Sequence, residues 1–290
     1  MPGRARSGVS APPSEEVDIS EARTTAPVVC FLHPLANGRV WWRLTEALPR
    51  RIRTLVVEQP LTGRIQPPGL TRDVVEAARA ALSRTGVDLV VAPDLAAHAG
   101  AELVADGSAA HALLINPDTT ALVDQPGYQT PALTSDIGSF LLDMAPYHEQ
   151  MREQATVPAE GVETMVEFSL RSCAHLDEQD RDLLHDISVE HMTRSIPFDI
   201  PAEGVAAPPE HTWFTRLSAD PERFTVYCGE IGPLSEHIRT VVPRNVPQAR
   251  MVRASPTTGY PWLEQPQALA ALIDDLVTRG APESADVPHT

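Results

Sequence analysis

The sequence predicts an α/β fold: a mostly parallel sheet flanked by helices on both faces, with an inserted helical lid. Three observations carry this expectation. Short apolar runs alternate with helical patterns from Pro27 to Ile115, the alternation lapses between Asp118 and about Asp220, and it resumes from Phe224 to a terminal helix. Strands covered on both faces read as unbroken apolar runs, and helices between them supply the crossovers that parallel pairing needs. The chain has 290 residues, enough for one large domain with a sizeable core.

The elements follow in order. Residues 1–25 are polar and proline-containing and read as a tail. Pro27–Leu32 is a strand ending in His33-Pro34, and Val40–Leu48 has helical apolar spacing through Trp41, Trp42, Leu44 and Leu48. Ile52–Val57 is the second strand. Thr71–Arg84 begins at a threonine cap and places Val74, Val75, Ala78, Ala81 and Leu82 on one helical face. Asp88–Val91 is a strand, Leu95–Ala105 a helix and Ala112–Ile115 a strand. Helical patterns at Ser139–Gln154, Gly161–Leu170 and Asp177–Arg194 then stand among proline-rich loops. Phe224–Cys228 is a strand, Leu234–Val241 a helix, Ala249–Arg253 a strand and Gln267–Thr278 the last helix. The reading is a core of residues 26–117 and 221–280, a lid of residues 118–220, and a tail from 281 to 290.

Composition excludes several classes. A net charge of −16 argues against a nucleic-acid partner, whose phosphates need a basic face, and against an anionic membrane surface. All 23 basic residues are arginine, so a lysine base or Schiff base is ruled out. With 28 prolines and abundant alanine, this bias suits a GC-rich bacterial genome. Cys30, Cys173 and Cys228 lack C-x-x-C spacing; Cys30 and Cys228 lie in strand-like runs and read as buried thiols. There is no signal-peptide pattern and no run of eighteen apolar residues, so the expectation is a cytoplasmic protein without a membrane span. No metal-ligand spacing and no phosphate-binding glycine loop occurs, so neither a metal nor another cofactor is expected. A homodimer is compatible with the sequence.

The segment Val90-Val91-Ala92-Pro93-Asp94-Leu95-Ala96-Ala97 has the layout of a nucleophile elbow. There, a strand-to-helix turn lifts one side chain above the edge of a sheet. The raised residue is Asp94, with Ala92 and Ala96 at the positions that glycines usually hold.

From about Pro27 to Arg279 the chain resembles the α/β-hydrolase superfamily, in particular its lid-bearing bacterial members. Phe31-Leu32-His33-Pro34 stands where that family has a strand and a His-Gly oxyanion loop, and Glu58-Gln59-Pro60-Leu61-Thr62-Gly63 resembles its D-x-P-G-x-G loop. Ala92–Ala96 matches the elbow, Leu114-Ile115-Asn116-Pro117 the strand end before the lid, and Cys228-Gly229-Glu230 the acid loop. Gly259-Tyr260-Pro261-Trp262-Leu263-Glu264-Gln265-Pro266 is similar to the G-H-x-P-x-x-E-x-P segment that carries the family's histidine. The departures fall on the working positions: Asp94 for serine, Tyr260 for histidine, Gly232 for the acid and Pro34 for the oxyanion-loop glycine. The resemblance therefore implies an α/β-hydrolase fold with a degenerate triad, and not a Ser-His-Asp esterase.

Three readings of Asp94 remain. As an acid–base group under an apolar lid, it would be partly desolvated and its pKa raised toward the working pH. It could then catalyse an elimination, isomerisation or cyclisation of an apolar intermediate of bacterial secondary metabolism. Tyr260 would donate to a carbonyl or enolate oxygen, and His33 with the backbone N–H of Leu35 or Leu95 would help hold it. As a nucleophile, Asp94 would form an ester in the manner of dehalogenases and epoxide hydrolases, and another histidine would have to activate water. The candidates include His33, His98, His148, His175, His185 and His191. As a structural residue it would mark a ligand-binding or scaffold protein, its carboxylate stabilised at a helix N-terminus. Trp41 and Trp42 beside the oxyanion loop, Glu58 at a strand end and Asp118 after the strand preceding the lid complete the candidate binding residues.

Overall fold

The computed structural model describes residues 26–33, 38–57, 75–76, 78–80, 86–94, 96–122, 124–128, 143, 145–147, 158–171, 176–195, 212–229, 233–253 and 260–279. Six strands form one sheet: β1 (Val28–Leu32), β2 (Arg53–Val57), β3 (Val87–Pro93), β4 (Ala109–Ile115), β5 (Phe224–Cys228) and β6 (Arg250–Arg253). Their order is β2-β1-β3-β4-β5-β6, and every neighbouring pair is parallel. Each strand lies on a segment read as a strand from the sequence. β3 extends to Pro93 and β4 already begins at Ala109, because ladder pairing continues beyond the most apolar residues.

Successive strand residues point to opposite faces, and both faces are buried. Val29, Phe31, Leu89, Val91, Leu113, Ile115 and Tyr227 belong to one core cluster. Cys30, Leu32, Val90, Ala92, Ala112, Leu114, Val226 and Cys228 belong to the other. At roughly 1.5–3 kcal/mol for each large aliphatic or aromatic side chain buried, these two layers dominate the stabilisation.

The helices divide between the faces. On the first face lie α1 (Trp42–Ala47), which continues a 3-10 turn over Gly38–Trp41, then α7 (Pro261–Glu264) and α8 (Pro266–Arg279). On the second lie α2 (Ala96–Ala105), α5 (Trp213–Ala219) and α6 (Pro233–Asn245). Two more helices, α3 (Ala159–Arg171) and α4 (Glu178–Ser195), pack against each other. Leu184 and Ile187 of α4 join the first cluster. The helix read over Thr71–Arg84 is described only at residues 75–76 and 78–80, where Val75 and Ala78 are buried. That over Ser139–Gln154 lies almost wholly outside the described residues.

α2 sits unusually close to the sheet. A Cβ at Gly100 would stand 2.6 Å from the Cβ of Ala92, so only glycine fits there. Small residues elsewhere in α2 allow the same approach. α5 lies inside the segment 118–220 that the sequence predicts to be helical, but no helix is assigned to these residues from the sequence. Its seven residues are too few for a periodic signal, yet Trp213, Phe214 and Leu217 are all buried. Thr212 starts it by accepting a hydrogen bond from Thr215 N–H at 3.2 Å. α4 is tied to α1 by Arg43, whose Nε donates to Asp180 at 2.7 Å and whose Nη2 donates to Asp177 at 2.6 Å. Among the described residues, no helix is long and apolar enough to cross a membrane.

Candidate active site

The chain runs from β1 outward to β2, then crosses back past β1 to β3. The winding direction therefore reverses between β1 and β3. In open parallel sheets this reversal opens a crevice at the carboxyl ends of the strands, where ligands bind. His33 follows β1 and Asp94 follows β3. Phe31 pairs with Val91, so the two strands end side by side at that reversal.

Asp94 has φ of 47°, in the left-handed region that favours glycine. Its N–H donates to the carbonyl of Ile115 at 3.0 Å, prolonging the β3–β4 ladder by one bond. Its own carbonyl accepts from Ala97 N–H at 3.0 Å and from Asp118 N–H at 3.3 Å. The chain thus turns sharply from strand to helix while both backbone groups stay paired. Holding a residue with a side chain here costs about 1–2 kcal/mol, less for aspartate and asparagine than for most. β4 ends the same way. Asn116 has φ of 42°, donates its N–H to the Tyr227 carbonyl at 2.9 Å and accepts at Oδ1 from Gly229 N–H at 2.8 Å.

Asp94 is exposed. The sequence predicts partial burial of this carboxylate; the structure exposes it instead, since residue 94 stands at the turn between β3 and α2 and belongs to neither core cluster.

His33 and Tyr260 meet the same indole. The His33 ring lies edge-on to Trp262 with centroids 5.8 Å apart, and the Tyr260 ring lies edge-on to Trp262 at 5.4 Å. Trp41 stacks obliquely on Trp262 at 4.7 Å and on Phe31 at 5.0 Å, and His33 is edge-on to Trp41 at 6.0 Å. Tyr260 precedes α7, and its carbonyl accepts from Leu263 and Glu264 N–H. Trp41 is fully buried in the core, whereas Trp42 is half-buried with the Arg43 guanidinium 4.7 Å above its ring. The indole N–H groups of Trp41, Trp42 and Trp262 are buried without an acceptor among the described residues. Leu35, Glu58 and Leu95 lie outside the described residues.

Asp118 is drawn under the elbow. His98 Nε2 is 3.3 Å from Asp118 Oδ2, and His98 Nδ1 accepts from Trp213 N–H at 3.3 Å. The Trp213 indole N–H donates to the Asp118 carbonyl at 2.7 Å. The sequence reading left Asp118 without a base to orient; the structure pairs it with His98. In the sequence His98 is one of several histidine candidates, and nothing distinguishes Trp213. The signal for His98 was a lone imidazole in an otherwise small and apolar first turn of α2, four residues after Asp94. A separate cleft of about 220 Å³ lies at the α1–α4 junction, lined by Arg43, Asp177, Asp180, Leu263 and Glu264 among others. None of the predicted site residues lines it.

No protein-family model matches the chain, and no curated protein matches it by sequence. Solved structures do. MenH from S. aureus aligns with a TM-score of 0.62 at 13% identity, over 88% of this chain and 95% of that one. A loop variant of the haloalkane dehalogenase DbeA from Bradyrhizobium elkanii aligns with a TM-score of 0.57 at 13% identity, over 89% and 91%. Est816, an N-acyl homoserine lactone degrading enzyme, aligns with a TM-score of 0.55 at 18% identity, over 86% and 92%. With the six-stranded parallel sheet and its two helical layers, these likenesses establish that the chain has the α/β-hydrolase fold.

Proposed function

We propose that the protein is an enzyme in which the Asp94 carboxylate transfers a proton. The reaction is a cofactor-independent cyclisation, isomerisation or elimination of an uncharged, apolar small molecule of bacterial secondary metabolism, a reading supported by composition and fold analogy. The observation that carries the reading is the left-handed turn at Asp94. Such strain persists where the surrounding structure over-determines it, and it concentrates at functional sites. Here it raises a carboxylate at the reversal point of the sheet, where the fold would otherwise favour glycine.

Each group has a part in this reading. Asp94 accepts a proton from substrate and returns it. The Tyr260 phenol and the His33 imidazole, both set against Trp262, supply donors for the oxygen on which charge develops. The exposure of Asp94 requires that substrate itself displace water from the carboxylate. An extract of the source organism lacking this gene is the substrate library for the test. Purified wild-type protein should convert one component into a product isomeric with it or lighter by one water. Asp94→Asn should bind that component without converting it. Equal conversion by Asp94→Asn would remove the proposal.

A second reading is favoured by one specific observation, the exposure of Asp94. A carboxylate, unlike a serine hydroxyl, needs no base to attack carbon, and an exposed one is open to substrate. His33, at the neighbouring strand end, is then the residue placed to activate water against the resulting ester. Turnover in ¹⁸O-water separates the two: the ester pathway leaves label in the Asp94 peptide, and proton transfer leaves none.

A further inference from the structure

We propose that His98 is a positioning residue for Asp94, acting through Asp118. This rests on the reading that Asp94 does chemistry, but its first test below does not. Asp118, His98 and Trp213 close a ring of three hydrogen bonds. His98 Nδ1 accepts from Trp213 N–H, so the ring proton sits on Nε2 and points at Asp118 Oδ2. The Trp213 indole N–H returns to the Asp118 carbonyl. From this ring one bond leaves toward the elbow, Asp118 N–H to the carbonyl of Asp94.

Backbone bonds hold the Asp94 turn from several sides. Its N–H is fixed by β4, Ala97 N–H is the ordinary first bond of α2, and the bond from Asp118 N–H depends on where Asp118 is kept. His98 is 2% exposed, in a helix whose other buried members are alanine, glycine, leucine and valine. An apolar residue would fill that place without needing partners; imidazole is required only for the two bonds it makes. Both ring nitrogens are engaged in those bonds, which suits His98 to holding its neighbours in place.

The ring has a second consequence. The chain leaves the sheet after β4 at Asp118 and returns to β5 through α5, which Trp213 begins. The indole-to-carbonyl bond of 2.7 Å joins these two stems at Asp118, the residue whose N–H donates to the Asp94 carbonyl. The connection between β4 and β5 and the Asp94 turn therefore share one support.

The test uses the full-length protein labelled with ²H, ¹³C and ¹⁵N, and reads the Asp94 Cα, Cβ and amide shifts, which report its left-handed backbone without any substrate. In His98→Leu these shifts should move away from left-handed values while those of β1, β3 and β5 stay in place, and His98→Gln should bring them partly back. Trp213→Phe and Asp118→Asn each disturb one bond of the ring and should move Asp94 in the same sense; they carry the test if His98→Leu does not fold. A long-range ¹H–¹⁵N spectrum at neutral pH should show His98 protonated at Nε2 and not at Nδ1. Unmoved Asp94 shifts across the folded variants, or a protonated Nδ1, would overturn the proposal. With substrate in hand, kcat of His98→Leu should fall on the order of tenfold to a hundredfold with KM unchanged. Shifts that move in His98→Leu while Asp94→Asn stays active would leave His98 a positioning residue and sink the catalytic reading instead.

Discussion

Replacing Asp94 by glycine should raise stability while abolishing the reaction. The left-handed backbone at φ 47° costs a residue bearing Cβ about 1–2 kcal/mol, and glycine adopts it without penalty. Against this stands the extra freedom that glycine adds to the unfolded chain, about 0.4–1 kcal/mol. Residue 94 is exposed, so shortening its side chain opens no cavity in either core layer. The balance is a net gain centred on roughly 0.8 kcal/mol and at most about 1.6 kcal/mol, a rise in Tm of a few °C for a domain of this order of size. Asp94→Ala keeps the strain and should be no more stable than wild type. Urea unfolding of the three proteins, with m-values equal, measures the differences directly. If Asp94→Gly proved no more stable than Asp94→Ala, the turn would not be strained and the main support for a functional Asp94 would be lost.

Other substitutions probe the layers around the site. Gly100→Ala should cost about 1–3 kcal/mol, because its methyl group would overlap the Ala92 side chain at 2.6 Å, and urea unfolding would show it. Trp262→Phe should lie within about 1 kcal/mol of wild type, because it removes a buried N–H with no acceptor among the described residues, worth about 1–3 kcal/mol, along with some packing; a loss as large as that of Trp262→Ala would contradict this. Burial pushes the pKa of His111 down to about 4, and the nearby Arg250 and Arg223 push the same way. The unfolded chain binds a proton below about pH 6.5 that the folded chain refuses, so this residue makes stability fall as pH drops from about 6.5 to about 4. His111→Leu should flatten that part of the profile, and an unchanged slope between about pH 7 and about pH 5 would refute the assignment.

The sheet was legible because its strands are buried on both faces. Val28–Leu32 and Phe224–Cys228 are apolar at every or nearly every position, a pattern that short amphipathic helices do not produce. The elbow was legible from spacing alone, since a strand, a turn and a helix follow one another without a gap around Asp94. What lay hidden depends on residues distant in the chain. Trp213 meets His98 across 115 positions, and a seven-residue helix leaves no periodicity to read. The left-handed turn at Asn116 gave no signal, because asparagine before proline suits many loops. The exposure of Asp94 was also invisible, since it depends on how far the turn projects above the two layers and not on the residues within it.

Turnover in ¹⁸O-water tests the account of Asp94 most directly. Wild-type protein is supplied with the component that it consumes from the gene-deleted extract, and both the product and the Asp94 peptide are weighed by mass spectrometry. Proton transfer by Asp94 predicts a product isomeric with its precursor, or lighter by one water, and an Asp94 peptide of unshifted mass. A peptide heavier by one ¹⁸O would contradict it and establish an ester at Asp94.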